Sequence, residues 1–156
     1  MEAFRTWGGL LGWIVACFLA AAVGSLFKPG DWYLALSKPS WNPPGWIFGP
    51  VWTALYLAMA LAAWLIWRRD GFSGAPVALG LFLVQLTLNG VWSWLFFGLH
   101  RPGIALVDIL LLWVFIAATL LAFWSRQWLT GALLSPYLLW VTFASFLNFT
   151  LWRMNR

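Results

Sequence analysis

Lys38-Pro39-Ser40-Trp41-Asn42-Pro43-Pro44-Gly45-Trp46 stands between two long apolar runs, about 9–27 and 46–67. Proline fixes φ and withdraws a backbone donor, so three prolines in this stretch forbid a helix. They predict an ordered, extended loop that ends where the next helix begins. The runs on either side are long enough to cross ~30 Å of hydrocarbon at ~1.5 Å per residue. A stiff, aromatic, cationic loop at the mouth of a membrane bundle is placed to act as a lid.

Working outward, three more apolar runs follow at about 77–99, 104–124 and 133–152. The chain is 63% hydrophobic and 8% charged, which leaves too little polar surface to coat a soluble globule. The links are short: Arg68-Arg69-Asp70-Gly71 with Gly74 and Pro76, then His100-Arg101-Pro102-Gly103, then Ser125-Arg126-Gln127. Short links make neighbouring helices antiparallel, so residues 1–156 read as a single domain. The expected architecture is an all-α integral membrane bundle of five transmembrane helices, with the Pro-rich loop between the first and second and the termini on opposite sides. Runs of this continuity lack the alternation of barrel strands. The first run follows Arg5 and reaches Ala20-Ala21-Ala22, but it exceeds the ~7–15 residues of a signal-peptide core. It is expected to stay as a span.

The formal charge of +5 comes from nine Lys and Arg scattered over loop ends, which is the pattern of interfacial anchors and not of a nucleic-acid surface. Arg5, Arg68, Arg69 and Arg126 fall on one side; Lys28, Lys38, Arg101, Arg153 and Arg156 fall on the other. That near-equal split assigns no orientation by the positive-inside rule. Cys17 is the only cysteine, so no intramolecular disulfide forms. Gly8, Gly12, Ala16, Ala20 and Gly24 recur every four residues, a small-residue stripe that admits close approach of a neighbour, and Ala54, Ala58 and Ala62 repeat the device.

Of fifteen tryptophans, Trp7, Trp46, Trp64, Trp67, Trp124, Trp128 and Trp152 lie near span ends, where an indole suits the headgroup zone. Others sit inside runs with polar or small companions at helical spacing: Trp52 with Tyr56, Trp92 with Asn89, and Trp140 with Ala144 and Asn148. These are candidates for a cavity wall. Gln85 and Asn89 stand one turn apart on the third run, and an amide in hydrocarbon must face other helices or a ligand. Both roles stay open. Asp108, about one turn into the fourth run, reads either as an interfacial ion pair with Arg101 or as a coupling carboxylate. His100 has no second histidine or cysteine cluster beside it, so it is read as structural and no metal is expected.

In combination, Asp31-Trp32-Tyr33, Lys38 to Pro44, Trp52-Thr53-Ala54-Leu55-Tyr56, Gln85 to Asn89 with Trp92, and Ser135-Pro136-Tyr137-Leu138-Leu139-Trp140 with Asn148 resemble the translocator protein family, also called tryptophan-rich sensory proteins or peripheral benzodiazepine receptor homologues. The resemblance covers essentially the whole chain. It implies a dimeric five-helix membrane protein with a pocket toward the first loop that takes porphyrins and other flat lipophilic ligands; with no transit peptide evident, a bacterial membrane is the expected setting. By matching motif, Tyr33, Trp41, Pro43, Trp52, Asn89, Trp92, Trp140 and Ala144 would line or cover that pocket, and Lys28 or Lys38 at the rim suits the carboxylate tails. Porphyrin enters as ligand, and no cofactor is required. Some members promote light-dependent breakdown of protoporphyrin, for which Trp52 and Trp140 are the matching residues. A structural or partner-binding role through the small-residue stripe is the remaining expectation. Animal members associate with cholesterol through a motif needing Lys or Arg within five residues of a tyrosine, but Tyr137 is followed by Leu138-Leu139-Trp140-Val141-Thr142. The sterol role is therefore weakened.

Overall fold

The structure, a computed structural model, describes residues 4–156, with side chains from residue 6 onward. The side chain of Arg5 lies outside the described residues. A π turn at Phe4–Gly8 leads into α1 (Gly9–Ser25), and a short α2 (Asp31–Ala35) follows in the first loop. A 3₁₀ turn at Gly45–Ile47 opens α3 (Phe48–Gly74); α4 (Pro76–Ser93) ends in a π turn at Trp94–Gly98. Then come α5 (Pro102–Trp124) and α6 (Trp128–Met154). Five of these segments are long and apolar enough to cross a membrane. This is a multi-pass, all-helical membrane bundle.

Proline and glycine set the boundaries. Pro76 and Pro102 occupy the first turns of α4 and α5, where a missing N–H leaves no bond unmade. Gly71, at φ 66°, breaks α3 after Asp70 and returns the chain toward α4. The last helix begins at Trp128, earlier than the 133 read from hydropathy, and carries Pro136 inside it. Pro136 withholds the N–H that would bond the Ala132 carbonyl, a loss that membrane helices tolerate, and beside it the Ser135 hydroxyl donates to the Gly131 carbonyl at 3.1 Å.

Around the bundle α1 packs on α3 and α4, α4 on α5, α5 on α6, and α6 closes on α3. Phe82 of α4 stacks on Phe123 of α5 at 5.9 Å, and Trp13 of α1 meets Phe82 edge-on at 5.5 Å. Met59, Ala60, Ala62 and Ala63 of α3 are fully buried. The stripe on α1 divides into two halves. Gly24 approaches Ser93 so closely that an added Cβ would lie 3.1 Å from its hydroxyl, and Ala20 offers its carbonyl toward Gly90. Gly8, Gly12 and Ala16 instead front an open apolar groove beside Trp67 and Phe72. Ala54 is likewise exposed while Ala62 is buried, so the second stripe packs only at its far end.

One face of the bundle is tied by charge. The Arg126 guanidinium donates to Asp70 at 2.7 Å and to the Gly74 carbonyl at 3.1 Å, while Arg69 donates to Asp70 at 3.0 Å and to the Arg126 carbonyl. The α3–α4 and α5–α6 turns thus meet on the side opposite the Pro-rich loop. Beside them Gly131 packs under Trp124, and a Cβ there would fall 2.7 Å from the Trp124 Cβ. Because the obstacle includes the root of a side chain, Gly131→Ala must spread α5 from α6. A loss of about 1–3 kcal/mol, as for overpacked cores, is expected by reversible unfolding in detergent.

Candidate functional site

Beneath the first loop the five spans surround a cavity of about 560 Å³. α3 supplies Trp52, α4 supplies Asn89 and Trp92, and α6 supplies Trp140 and Ala144. Tyr33 of α2 and Pro43 of the loop form the roof, and Lys28 joins the wall from the link between α1 and α2. These are eight of the ten positions read from the sequence. On α4 and α6 the wall residues share one helix face, Asn89 with Trp92 and Trp140 with Ala144 each lying about one turn apart.

The other two lie off the wall. Trp41 is half exposed and meets Phe143 edge-on at 5.9 Å. Lys38 curls back: its ammonium donates to the carbonyls of Leu34 and Leu36 at 3.0 Å each and sits 4.8 Å above the Tyr33 ring. The cause is α2, which the loop reading did not anticipate. Its C-terminal carbonyls attract the nearest cation and hold it on the roof. The Tyr33 phenol donates to Asn42 Oδ1 at 3.5 Å. Burial raises that phenol above its ordinary range, partly offset by the bond to Asn42, so it remains a donor at neutral pH.

Deep in the cavity the aromatic groups brace one another. Trp52 lies 5.5 Å from Tyr56 and meets Tyr137 edge-on at 6.1 Å; Trp140 meets Phe48 edge-on at 5.7 Å; Trp92 stacks on Phe96 at 5.1 Å. Such offsets suit ring quadrupoles and hold the indoles in place. Polar groups form two chains. Tyr56 donates to Asn89 Oδ1 at 2.6 Å, the Asn89 amide donates to the Tyr137 oxygen at 2.8 Å, and Tyr137 donates to Gln85 Oε1 at 2.8 Å. Trp92 Nε1 donates to Asn148 at 2.9 Å, and Asn148 donates to the Pro102 carbonyl at 2.8 Å. The first chain joins α3, α4 and α6; the second joins α4, α5 and α6. Both amides of the third apolar run therefore serve helix packing, and Asn89 also fronts the cavity. The Trp140 indole N–H is buried with no hydrogen-bond partner in the protein.

Several expected features sit elsewhere. Asp108 is buried without the ion pair to Arg101, and its Oδ2 has no hydrogen-bond partner. His100, at a left-handed φ of 54°, stacks on Trp32 at 4.4 Å, a structural contact between α2 and the α4–α5 link. Trp7, Trp46, Trp124 and Trp128 are exposed at span ends. Trp64 is instead buried, and Trp67 packs on Gly9.

Comparison with known proteins bears on this arrangement. Residues 13–153 match the model of the TspO/MBR family. The chain belongs to that family. Translocator protein of Homo sapiens is 44% identical over 154 residues, covering 96% of this chain and 91% of its own. Tryptophan-rich sensory protein of Cereibacter sphaeroides is 42% identical over 149 residues, covering 96% and 92%. Protein CrtK of Rhodobacter capsulatus is 42% identical over 147 residues, covering 92% and 90%. As a TspO/MBR member this chain spans nearly the full length of its relatives, so the cavity is built entirely within the shared region.

Three aromatic residues that matter to the site escaped the sequence reading. Phe96 and Phe97 reach the cavity because the π turn at Trp94–Gly98 rotates them inward. Their signal was the aromatic cluster itself, since π turns carry no clear sequence mark. Tyr137 is the hub of the buried network, and the signal was the pair Gln85 and Asn89, which required a mid-membrane partner.

Proposed function

We propose that this protein is a membrane receptor or carrier that binds protoporphyrin IX-like tetrapyrroles and other flat lipophilic ligands, in tetrapyrrole transport, sensing or stress regulation. The carrying observation is the roofed, aromatic cavity of about 560 Å³, inside the ~300–1,000 Å³ range of small-molecule sites. A tetrapyrrole is a broad apolar plate with carboxylate tails. Trp52, Trp92 and Trp140 offer it π faces, the unpartnered Trp140 N–H offers a donor, and Lys28 offers a cation for the acids. The proposal includes a bacterial membrane as the setting and a homodimer as the working form, the open groove at Gly8, Gly12 and Ala16 being suited to a second helix.

The test is a titration followed by tryptophan fluorescence, with protoporphyrin IX and its dimethyl ester compared. Saturable quenching by both is expected. Lys28→Gln should weaken the diacid a few-fold, about 0.2–1 kcal/mol for an exposed pair, and leave the diester unchanged. Quenching that never saturates would reject the site.

A second reading has its own support: both indoles that match the porphyrin-degrading members front the cavity. An illuminated porphyrin passes its excitation to dioxygen, and the activated dioxygen, formed under the roof beside a macrocycle held by Trp52 and Trp140, would add both oxygen atoms across one of the ring's own double bonds and break it. Bleaching of the Soret band that is faster with protein than in detergent alone, and only in air, is the outcome this reading expects. Equal rates would remove it.

A further inference from the structure

The end of α6 returns to the roof. At Asn155 the chain leaves helical geometry, with φ −124° and ψ 22°, and its carboxamide is fully engaged. Oδ1 accepts the Ser37 N–H at 2.8 Å; Nδ2 donates to the Ser37 carbonyl at 2.9 Å and to the Leu151 carbonyl at 2.8 Å. Acceptor and donor lie side by side in a carboxamide, so Asn155 reads both backbone groups of one residue much as an adjoining strand would. Ser37 follows Leu36, whose backbone is extended at φ −64° and ψ 140°, and it opens the Pro-rich roof.

The rest of the roof is bonded within itself or to α2. Asn42 N–H donates to the Pro39 carbonyl at 3.0 Å, Lys38 holds the end of α2, and the Tyr33–Asn42 bond is long at 3.5 Å. Where the segment runs into α3, the Ile47 N–H donates to the Pro44 carbonyl at 3.1 Å; at its entrance the bonds from Asn155 tie it to the end of α6. Three prolines make that segment stiff, so fixing its entrance fixes its position over the cavity.

We propose that Asn155 is a positioning residue that latches the roof closed and so sets how fast a ligand enters and leaves, an inference that rests on reading the cavity as a ligand site. The full chain in detergent is the material for the test. Hydrogen exchange of residues 36–46 is measured without ligand, and protoporphyrin release is followed by recovery of tryptophan fluorescence on dilution. Asn155→Ala is expected to speed exchange of the roof and to speed release about tenfold, the effect of losing two hydrogen bonds of ordinary strength. Entry should quicken in parallel, so affinity changes less than either rate.

Because Asn155→Ala also removes a contact to the last turn of α6, Ser37→Pro supplies the control. It deletes the Ser37 N–H from the other partner, and the extended Leu36 already has the backbone that precedes proline. Release about threefold faster is expected, with α6 unaffected. Wild-type exchange and release in both variants would overturn the latch, as would faster exchange confined to the end of α6. Should the wild-type protein bind no protoporphyrin, the ligand reading falls alone, and exchange of the roof still decides the latch.

Discussion

Replacing Trp52 and Trp140 with phenylalanine is expected to weaken protoporphyrin binding about tenfold to hundredfold while leaving the fold intact. Both indoles front the cavity, and they stand on different helices, α3 and α6. An oriented aromatic contact contributes about 0.5–1.5 kcal/mol beyond the area it covers, so shrinking two of them gives roughly 1.4–2.8 kcal/mol. Trp52 packs on Tyr56 and Tyr137, but a phenylalanine keeps a ring there and neither change removes a bond of the Tyr56–Asn89–Tyr137–Gln85 chain. Unfolding midpoints should therefore stay close to wild type, and the fluorescence or absorbance titration reads binding alone. Adding Asn89→Leu is expected to lower affinity further, but it also removes the middle of the polar chain. A double variant that keeps wild-type affinity would mean the ligand rests elsewhere.

Tyr137→Phe is expected to cost stability on the scale of an overpacked core, through polar groups instead of steric ones. Its hydroxyl is both acceptor for Asn89 and donor to Gln85, and Tyr137, Gln85 and Asn89 are all buried. Removing it strands one donor and one acceptor in hydrocarbon, where leaving a buried group unmet costs about 1–3 kcal/mol each. Membrane helices find substitute partners in the unfolded state and average nearer ~0.6 kcal/mol per bond, so a total of about 2 kcal/mol is expected. Trp113→Phe is the comparison. That indole also bonds across helices, to Thr142 at 2.8 Å, but on an exposed face, and its loss should stay below ~0.6 kcal/mol. Equal effects in reversible unfolding would show that burial does not govern the network.

The spans were legible because hydrocarbon demands continuous apolar runs, and no loop contradicts them. What hydropathy does not carry is the local course of the backbone. Gln127, Thr130 and Gly131 break the apolar run before residue 133 and so delayed the apparent start of the last helix, though it begins at Trp128. The short α2 was hidden among Gly30, Asp31 and the prolines beyond, and with it the fate of Lys38. Wall residues such as Trp52, Asn89 and Trp140 were readable from helical spacing and from the family resemblance together. Trp41 was not, because a side chain in an irregular loop has no periodicity to fix its direction. Asp108 shows the same limit: its depth was clear, whereas its lack of an ion pair depends on where Arg101 points.

A structure of the full chain grown with protoporphyrin is the most direct measurement of whether the cavity is the ligand site. The macrocycle is expected among Trp52, Trp92 and Trp140 beneath residues 39–46, with its carboxylates toward Lys28. Density for the ring on the lipid-facing surface, with that cavity filled by repacked side chains, would contradict the assignment.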